Sequence, residues 1–199
     1  AFNLAGASIF MNQGEYEQAL VLVEAALEKE NRSEFSWRLK GQVLMRLERY
    51  EEARAALDQS IKLSNSSYAD RVARALLNIR MENYEAAQED ASILLEMAPR
   101  GAAANYIHGA LLFQARDFLG ASSALRDAET LSEDFPIIPY YLAISYLIEG
   151  NEALSQTYAR KFYELAPESG AGRKLFAITL MQLGNMKDAR DIVRPVVES

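Results

Sequence analysis

One histidine and no cysteine leave little material for a reactive centre in this chain. The histidine is His108, and without thiolates or a second imidazole the chain lacks the ligands from which typical zinc sites are built. His108 could serve as a general base, but no motif places a nucleophile beside it. The simpler interpretation is a packed or partly exposed histidine with no chemical role.

The carboxylates and glycines are also spaced unlike those of a reactive or phosphate-binding site. Acidic residues cluster in two segments that are predicted to be amphipathic helices: Glu51, Glu52, Glu85, Glu89 and Asp90. A solvent-exposed outer helix face accounts for such a pattern. The ten glycines are scattered, and neither GxxxxGK followed by Ser or Thr nor GxGxxG occurs. We therefore predict that the protein is not an enzyme and uses neither a metal nor a cofactor.

Length and charge narrow the class of protein further. Of the 199 residues, 50% are hydrophobic and 25% are charged, as in ordinary globular proteins. The net charge of −7 argues against nucleic-acid binding, which normally needs a basic surface. The uncharged run Phe135–Ile148 has fourteen residues, including two prolines, whereas a transmembrane helix needs roughly 20 apolar residues. We predict no transmembrane segment, and we interpret Ala1–Leu4, which lacks the basic region of a signal peptide, as the cut edge of a longer chain.

An internal repeat of 34 residues organises the chain. Aromatic residues recur at this interval: Tyr16, Tyr50, Tyr84 and Phe118. Two other columns hold small residues, namely Ala7, Gly41, Ala75, Gly109, Ala143 and Ala177, and Ala19, Ala53, Ala87, Ala121, Ser155 and Ala189. Six copies fit without insertion or deletion, as in solenoid proteins. The predicted units of this single array are residues 1–33, 34–67, 68–101, 102–135, 136–169 and 170–199. Positions are counted within each unit, and the first unit begins with Ala1 at position 2.

Each unit is predicted to contain two amphipathic helices. In the second unit these are Ser36–Leu47 and Tyr50–Leu63, separated by a turn at Glu48 and Arg49. Four residues of the second helix are predicted to point inward: Ala53, Ala56, Leu57 and Ile61. The small residues let the two helices approach closely. The predicted fold class is therefore all-α, as a solenoid of helix–turn–helix units.

This helix–turn–helix unit of 34 residues resembles the tetratricopeptide repeat. In the second unit the resemblance is carried by Trp37, Lys40, Gly41, Leu44, Tyr50, Ala53, Leu57 and Ser60. Gly14–Ala19 and Asn83–Ala87 are similar to the turn signature of the family, whereas Glu152 and Met186 depart from its aromatic position. The resemblance covers essentially the whole chain. It implies a right-handed superhelix whose first helices line a concave groove that binds a peptide or a partner protein.

The resemblance also implies which residues face the groove, because positions 2, 5, 9, 12 and 13 of each unit point into it in the family. The predicted partner-binding residues are Arg38, Gln42, Arg46, Arg80, Tyr106, Phe113, Tyr140, Ile144 and Leu147. Units two and three supply a basic stretch, and units four and five an apolar and aromatic one. We expect a partner segment with apolar anchors and an acidic flank. The alternative is that neighbouring first helices pack together and make part of this stripe core.

A second resemblance concerns the segment Tyr140–Val196, which is similar to repeats of bacterial exopolysaccharide-secretion proteins. It rests on "YYLAISYLIEGN", on "LAPESGAGRKLFA" and on an Arg-Pro pair near Val196. The tetratricopeptide-repeat lipoprotein associated with the exosortase/PEP-CTERM system is one such protein. The resemblance implies a Gram-negative envelope protein, in the periplasm or at the outer membrane, that supports polysaccharide assembly or export.

Two other functions stay open at the level of sequence. The first is direct binding of an anionic polysaccharide by Tyr106, Tyr140 and Tyr141 with Arg38 and Arg80. The second is a structural role as a spacer or oligomerisation arm. The last predicted helix, Lys187–Glu198, keeps four apolar residues: Ile192, Val193, Val196 and Val197. Because terminal repeats normally present a polar capping face, we expect either a longer array or self-association through uncapped units.

Overall fold

The computed structural model describes residues 2–64, 67–132 and 135–197, and within these ranges it consists of helices and turns without a strand. The helices are α1 (Phe2–Gln13), α2 (Tyr16–Lys29), α3 (Glu34–Arg46), α4 (Tyr50–Ser64), α5 (Tyr68–Arg80), α6 (Tyr84–Met97), α7 (Ala102–Gln114), α8 (Phe118–Leu131), α9 (Ile138–Ile148), α10 (Glu152–Leu165), α11 (Gly170–Gln182) and α12 (Met186–Val197). The predicted all-α class is confirmed. Each repeat contains one odd-numbered first helix and one even-numbered second helix.

A residue with left-handed backbone follows the first helix of each repeat. The φ angles are 78° at Gly14, 57° at Glu48, 58° at Glu82, 62° at Arg116, 76° at Gly150 and 79° at Gly184. These residues recur every 34 positions, so the turn geometry is as periodic as the sequence. Glycine adopts this backbone without strain, whereas a side chain makes it costly. Three repeats therefore keep the turn at some loss of stability.

The small-residue columns are explained by close helix packing. A Cβ atom on Gly41 would lie 2.9 Å from Leu57 Cγ, and one on Gly109 would lie 2.7 Å from Leu125 Cγ. Both distances are shorter than a normal carbon–carbon contact. The leucine of the second helix thus occupies the space that a larger first-helix residue would need.

The uncharged run Phe135–Ile148 forms α9 and the residues that lead into it. Pro139 lies in the first turn of the helix, where proline is tolerated because the first backbone amides have no partner within the helix. Ile138 and Leu142 are buried in the core. Over the described residues, no helix has the length and apolar character needed to cross a membrane.

Backbone contacts divide the chain into two units, Ala1–Met97 and Ala98–Ser199, which we call the N-unit and the C-unit. An apolar core of the N-unit includes Val23, Leu44 and Leu57, which are fully buried. In the C-unit, one cluster of buried residues lies around Leu125 and Leu142, and another lies around Leu175 and Leu180. In both units consecutive helices pack against each other, so each core is built from pairs along the chain.

Candidate functional site

In the N-unit, the first of the predicted groove cations is partly buried and already paired with carboxylates of the protein. Arg38 Nε donates to Asp70 Oδ1 at 2.5 Å and Arg38 Nη2 donates to Asp70 Oδ2 at 3.2 Å, while the guanidinium also pairs with Glu34. Asp70 is fully buried and accepts a third hydrogen bond, of 2.6 Å, from Ser60 Oγ. Burial by itself would raise the pKa of Asp70, but the hydrogen bonds from Arg38 and Ser60 outweigh it and hold that pKa below its ordinary value. Arg38 therefore ties α3 to α5.

The other predicted partner-binding residues of the N-unit, two arginines and one glutamine, face solvent. Gln42 and Arg46 are exposed. Arg80 has a side chain that is 63% exposed; its Nη2 lies 3.8 Å from Glu48 Oε1, and its guanidinium carbon lies 5.1 Å from the centre of the Tyr50 ring. These contacts are loose and solvent-screened, so the charge of Arg80 remains available to a partner.

A second buried carboxylate of the N-unit corrects a prediction. Asp90, which the sequence places on a solvent-exposed outer face, is fully buried. It accepts hydrogen bonds from Arg74 Nε at 2.8 Å and Nη2 at 2.7 Å, and from Arg71 Nη1 at 3.2 Å. Hydrogen bonds to Asp90 and to Asp58 raise the pKa of Arg74 above its ordinary value. The prediction is wrong because the neutralising arginines lie on α5, and the periodicity of α6 gives no sign of them.

In the C-unit, Tyr106 and Phe113 belong to one aromatic cluster. The Tyr106 ring stacks on Phe135 with centroids 4.6 Å apart, and Phe113 makes edge contacts with Phe118 at 5.4 Å and with Tyr141 at 4.8 Å. Burial raises the pKa of Tyr106 to about 12. Both predicted residues are partly buried, so only part of each ring is open to a partner.

The remaining predicted residues lie on α9 and belong to the other core cluster of the C-unit. The Tyr140 ring contacts Phe162 with centroids 5.1 Å apart. Ile144 and Leu147 are partly buried and pack against the cluster that includes Leu175. The five predicted residues of the C-unit therefore belong to two packing clusters, which meet where the Tyr140 and Tyr141 rings contact each other with centroids 6.1 Å apart. All five are partly buried.

The more exposed apolar residues of this face lie slightly further along the chain. They are Ile148 at 55%, Ile178 at 46% and Met181 at 50% exposure, and we call them the apolar patch. They occupy groove positions 13, 9 and 12 of the frame, on α9 and α11, which contact each other. The predicted residue set does not include them. Residue type alone could not single them out, because position 12 carries a large apolar residue in all six units.

Two family models match separate parts of the chain. Residues 2–60 match the model described as anaphase-promoting complex, cyclosome, subunit 3, and residues 72–136 match the tetratricopeptide repeat. PilW, described as a widely conserved type IV pilus biogenesis factor, is a similar solved structure with a TM-score of 0.81 and 19% identity, covering 96% of this chain and 89% of its own. The chain has the tetratricopeptide-repeat fold. The models and the structures together support the predicted tetratricopeptide-repeat family.

Other solved structures share the tetratricopeptide-repeat fold with this chain. Pseudomonas aeruginosa pilF has a TM-score of 0.84 and 14% identity, covering 96% of this chain and 86% of its own. YrrB, described as a TPR protein with an unusual peptide-binding site, has a TM-score of 0.65 and 16% identity, covering 87% and 92%. At these identities the likeness concerns the fold alone. A comparison with curated proteins gave no match.

Two small cavities recur one tetratricopeptide repeat apart in the C-unit. One, of about 170 Å³, is lined by residues that include Asn105, Asp127 and Leu131, and the other, of about 230 Å³, by their equivalents Pro139, Lys161 and Leu165. At the larger cavity, Lys161 Nζ pairs with Glu129 Oε1 at 2.8 Å. The cavities share a place in the repeat, but their linings differ in polarity. They are therefore not two copies of one ligand site.

His108 lies on α7 and is partly buried, with a buried Nδ1 atom that has no hydrogen-bond partner among the described residues. Within the described ranges, no three His, Asp or Glu side chains lie close enough together to hold a metal ion. Among the described residues, two surfaces are candidates for binding a partner. One consists of the exposed Gln42, Arg46 and Arg80 of the N-unit, and the other is the apolar patch of the C-unit.

Proposed function

We propose that the protein is a non-catalytic scaffold that binds a segment of a partner protein on the first helices of its tetratricopeptide repeats, in the concave groove that the family implies. The observation that carries this proposal is the apolar patch. Single exposed apolar residues are normal on protein surfaces, but Ile148, Ile178 and Met181 are all exposed at groove positions of two helices that contact each other. Such grouping is typical of interaction sites.

The estimated binding free energy favours a partner segment that contacts more of the protein than the apolar patch alone. Full burial of an isoleucine or methionine side chain stabilises a complex by about 1.5–3 kcal/mol, and the three patch residues are about half exposed. Covering them therefore contributes about 3 kcal/mol, which is less than the roughly 8 kcal/mol of a micromolar complex. The partly buried Tyr140, Ile144 and Leu147 beside the patch supply further apolar contact, as the sequence predicts.

The charge pattern of the C-unit favours a mainly apolar segment with an acidic flank. α9 contains no charged residue, and α11 contains only Arg173 and Lys174. Arg173 is engaged, because its Nε donates to the Pro167 carbonyl oxygen at 2.7 Å. Lys174 is exposed at groove position 5, where it would meet a carboxylate of the partner. In the N-unit, Gln42, Arg46 and Arg80 are proposed as a separate polar contact surface.

The proposed setting is a bacterial envelope system that assembles or exports exopolysaccharide. Its support is the resemblance of Tyr140–Val196 to repeats of secretion proteins. The polysaccharide-binding alternative has less support, because Arg38 is occupied by Asp70 and Glu34 and the Tyr106 ring is stacked on Phe135. We therefore favour a protein partner within that setting.

Selection of peptides tests this function and requires no candidate partner. A library of random peptides displayed on phage is selected on the immobilised chain, and the affinity of an enriched peptide is measured by fluorescence anisotropy. We expect enriched peptides to carry apolar residues together with an acidic residue. Ile148→Lys should weaken binding by at least about tenfold, which corresponds to about 1.4 kcal/mol.

Leu119→Lys is the matched control, because Leu119 is 72% exposed on the second helix α8, away from the groove positions. It should leave the affinity unchanged. Lys174→Glu should selectively weaken peptides with an acidic residue. Absence of any enriched sequence, or an equal loss with Ile148→Lys and Leu119→Lys, would contradict the proposal.

A further inference from the structure

The side chain at position 4 of the repeat reaches back to the loop before its own helix in three repeats. Each of these side chains donates a hydrogen bond to a backbone carbonyl oxygen of that loop: Trp37 Nε1 to Asn31 at 2.8 Å, Asn105 Nδ2 to Pro99 at 3.1 Å and Arg173 Nε to Pro167 at 2.7 Å. In the fifth repeat, position 4 is Pro139. Proline has neither a donor nor a long side chain, so the space that these residues fill elsewhere is left open beside it.

The larger cavity of the C-unit lies at this place. Its volume is about 230 Å³, and most of its lining is apolar: Phe135, Pro136, Ile138, Pro139 and Leu165. Ile138 and Pro139 are buried, whereas Pro136 and Leu165 are exposed, so the cavity has an apolar floor and opens to solvent beside the exposed pair.

The aromatic wall of this cavity is held in place by the protein itself. The Tyr106 ring stacks on Phe135 with centroids 4.6 Å apart, and the Ile138 N–H donates to the Phe135 carbonyl oxygen at 3.0 Å. Pro136 and Pro139 further restrict the backbone of this segment. The cavity is therefore preformed, and a ligand does not have to order its walls on binding.

The polar wall of the cavity, made by Glu129 and Lys161, offers hydrogen-bond donors but carries no net charge. Lys161 Nζ donates to Glu129 Oε1 at 2.8 Å, and the Tyr158 hydroxyl donates to Glu129 Oε2 at 3.1 Å. Burial, together with the neighbouring Glu129, raises the pKa of Tyr158 to about 12, so this hydroxyl keeps its proton at neutral pH. Both carboxylate oxygens are thus engaged. The ammonium group of Lys161 has three donors and uses one of them on Glu129.

We propose that the larger cavity binds a small neutral molecule, namely a single ring that carries a carbonyl group whose oxygen accepts a hydrogen bond from Lys161. A cavity of about 150 Å³ is large enough for benzene, so this cavity takes a ring with a short substituent and is too small for a peptide segment. A charged ligand is disfavoured, because Glu129 already balances Lys161 and a further charge would lie unpaired against apolar walls.

The smaller cavity, one repeat earlier, lacks the features that carry this proposal. It measures about 170 Å³, and its lining is mainly polar: Arg100, Asn105, Asp127 and Thr130. Asn105 stands where Pro139 lies in the larger cavity, and Asp127 stands where Lys161 lies. A ring would gain few apolar contacts there, so this cavity supplies a control within the same unit.

Acetophenone tests the proposal, with ethylbenzene and benzoate as matched probes. Ethylbenzene has a similar shape but no hydrogen-bond acceptor, and benzoate carries a charge. Each probe is titrated into the isotope-labelled chain, and the amide shifts in two-dimensional NMR spectra give both affinity and location. We expect acetophenone to cause saturable shifts at Ile138, Lys161 and Leu165. Ethylbenzene should bind about five- to tenfold more weakly, and benzoate should also bind more weakly than acetophenone.

Three variants separate recognition by Lys161 from simple packing. Lys161→Met keeps an apolar side chain of similar length but removes the donors, so it should weaken acetophenone to the level of ethylbenzene and leave ethylbenzene unchanged. Leu165→Ala should weaken both probes by a similar factor. Leu131→Ala, the equivalent change at the smaller cavity, should affect neither probe. Leu165 is 55% exposed and Leu131 40%, so the fold should persist, which circular dichroism checks.

Several results would overturn the proposal. These are the absence of saturable shifts, shifts confined to the apolar patch, equal affinities for acetophenone and ethylbenzene, tighter binding of benzoate, and a Lys161→Met chain that still prefers acetophenone. The proposal does not depend on the proposed peptide site, whose apolar patch residues do not line this cavity. Ile148→Lys should therefore leave acetophenone binding unchanged while it weakens the selected peptides.

Discussion

Replacing Asp70 with asparagine should destabilise the N-unit, because the substitution removes the charge that holds a buried arginine contact. Asp70 is fully buried, and both of its carboxylate oxygens are engaged, Oδ1 by Arg38 and Oδ2 by Arg38 and Ser60. Asparagine has nearly the same shape but offers one acceptor oxygen instead of two. One donor is therefore left facing an amide NH₂ group.

Removal of one partner from a buried ion pair costs about 3–5 kcal/mol. The value here should be smaller, since the Arg38 side chain is 27% exposed and keeps its pairing with Glu34. We expect a loss of about 2–3 kcal/mol in the free energy of unfolding, which in urea lowers the midpoint by about 0.7–3 M for an m-value of about 1–3 kcal/mol/M. The double variant Arg38→Met with Asp70→Asn should lose less than the sum of the two single losses.

The pH dependence has a definite sign. The folded-state pKa of Asp70 lies below its ordinary value of 3.8, so its contribution is fully present above the pKa of the unfolded chain. It is lost as the pH falls through the folded pKa, because the protonated carboxyl then resembles an amide. The difference in stability between the unchanged protein and Asp70→Asn should therefore be constant near neutrality and shrink below about pH 4.

Urea unfolding followed by circular dichroism at several pH values measures both effects. Glu89→Gln is the matched control, because Glu89 is an exposed carboxylate of the same unit; it should change stability by less than about 0.5 kcal/mol. A loss below about 0.5 kcal/mol for Asp70→Asn, or a loss that does not shrink in acid, would refute the reasoning from the buried pair.

Three substitutions test the periodic positions of the C-unit. Gly109→Ala should lower stability by about 1–3 kcal/mol, because the added methyl would lie 2.7 Å from Leu125 Cγ; equal or higher stability in thermal unfolding would contradict the close packing. Arg116→Gly should raise stability by about 0.5–1 kcal/mol by relieving a φ of 62°. The reverse change at an equivalent turn, Gly150→Ala, should lower stability by a similar amount, and a gain there would count against the turn argument.

Most of the fold could be predicted from the repeat, because solenoid packing reuses the same positions in every unit. The columns of alanine and glycine identify where the paired helices approach, and Gly14, Gly150 and Gly184 locate the turn. The same frame could have assigned a left-handed backbone to Glu48, Glu82 and Arg116, although nothing in these residue types suggests it. The position of a residue in the 34-residue repeat therefore predicts the backbone conformation of the turn even where the residue type does not favour it.

The candidate site was less predictable, since it depends on partners far apart in the sequence. Arg38 stands at a groove position, but its engagement depends on Asp70, 32 residues later on a different helix. The sequence pattern of α6 predicts that Asp90 is exposed to solvent. In the structure Asp90 is buried and accepts hydrogen bonds from arginines of α5. The helical periodicity predicts the direction in which a side chain points. It does not predict which charged residue of another helix will lie beside that side chain.

The exposure of the apolar groove positions also depends on residues far away in the sequence. Leu147 and Met181 occupy position 12 of successive repeats and are both large and unbranched at Cβ, yet one is partly buried and the other is half exposed. The difference cannot come from the residue or its helix, so it must come from the neighbouring helix that covers one and not the other. A position in such a repeat is core or binding surface according to what is seated on it. That is why one periodic face can supply core in one repeat and a candidate peptide site in the next.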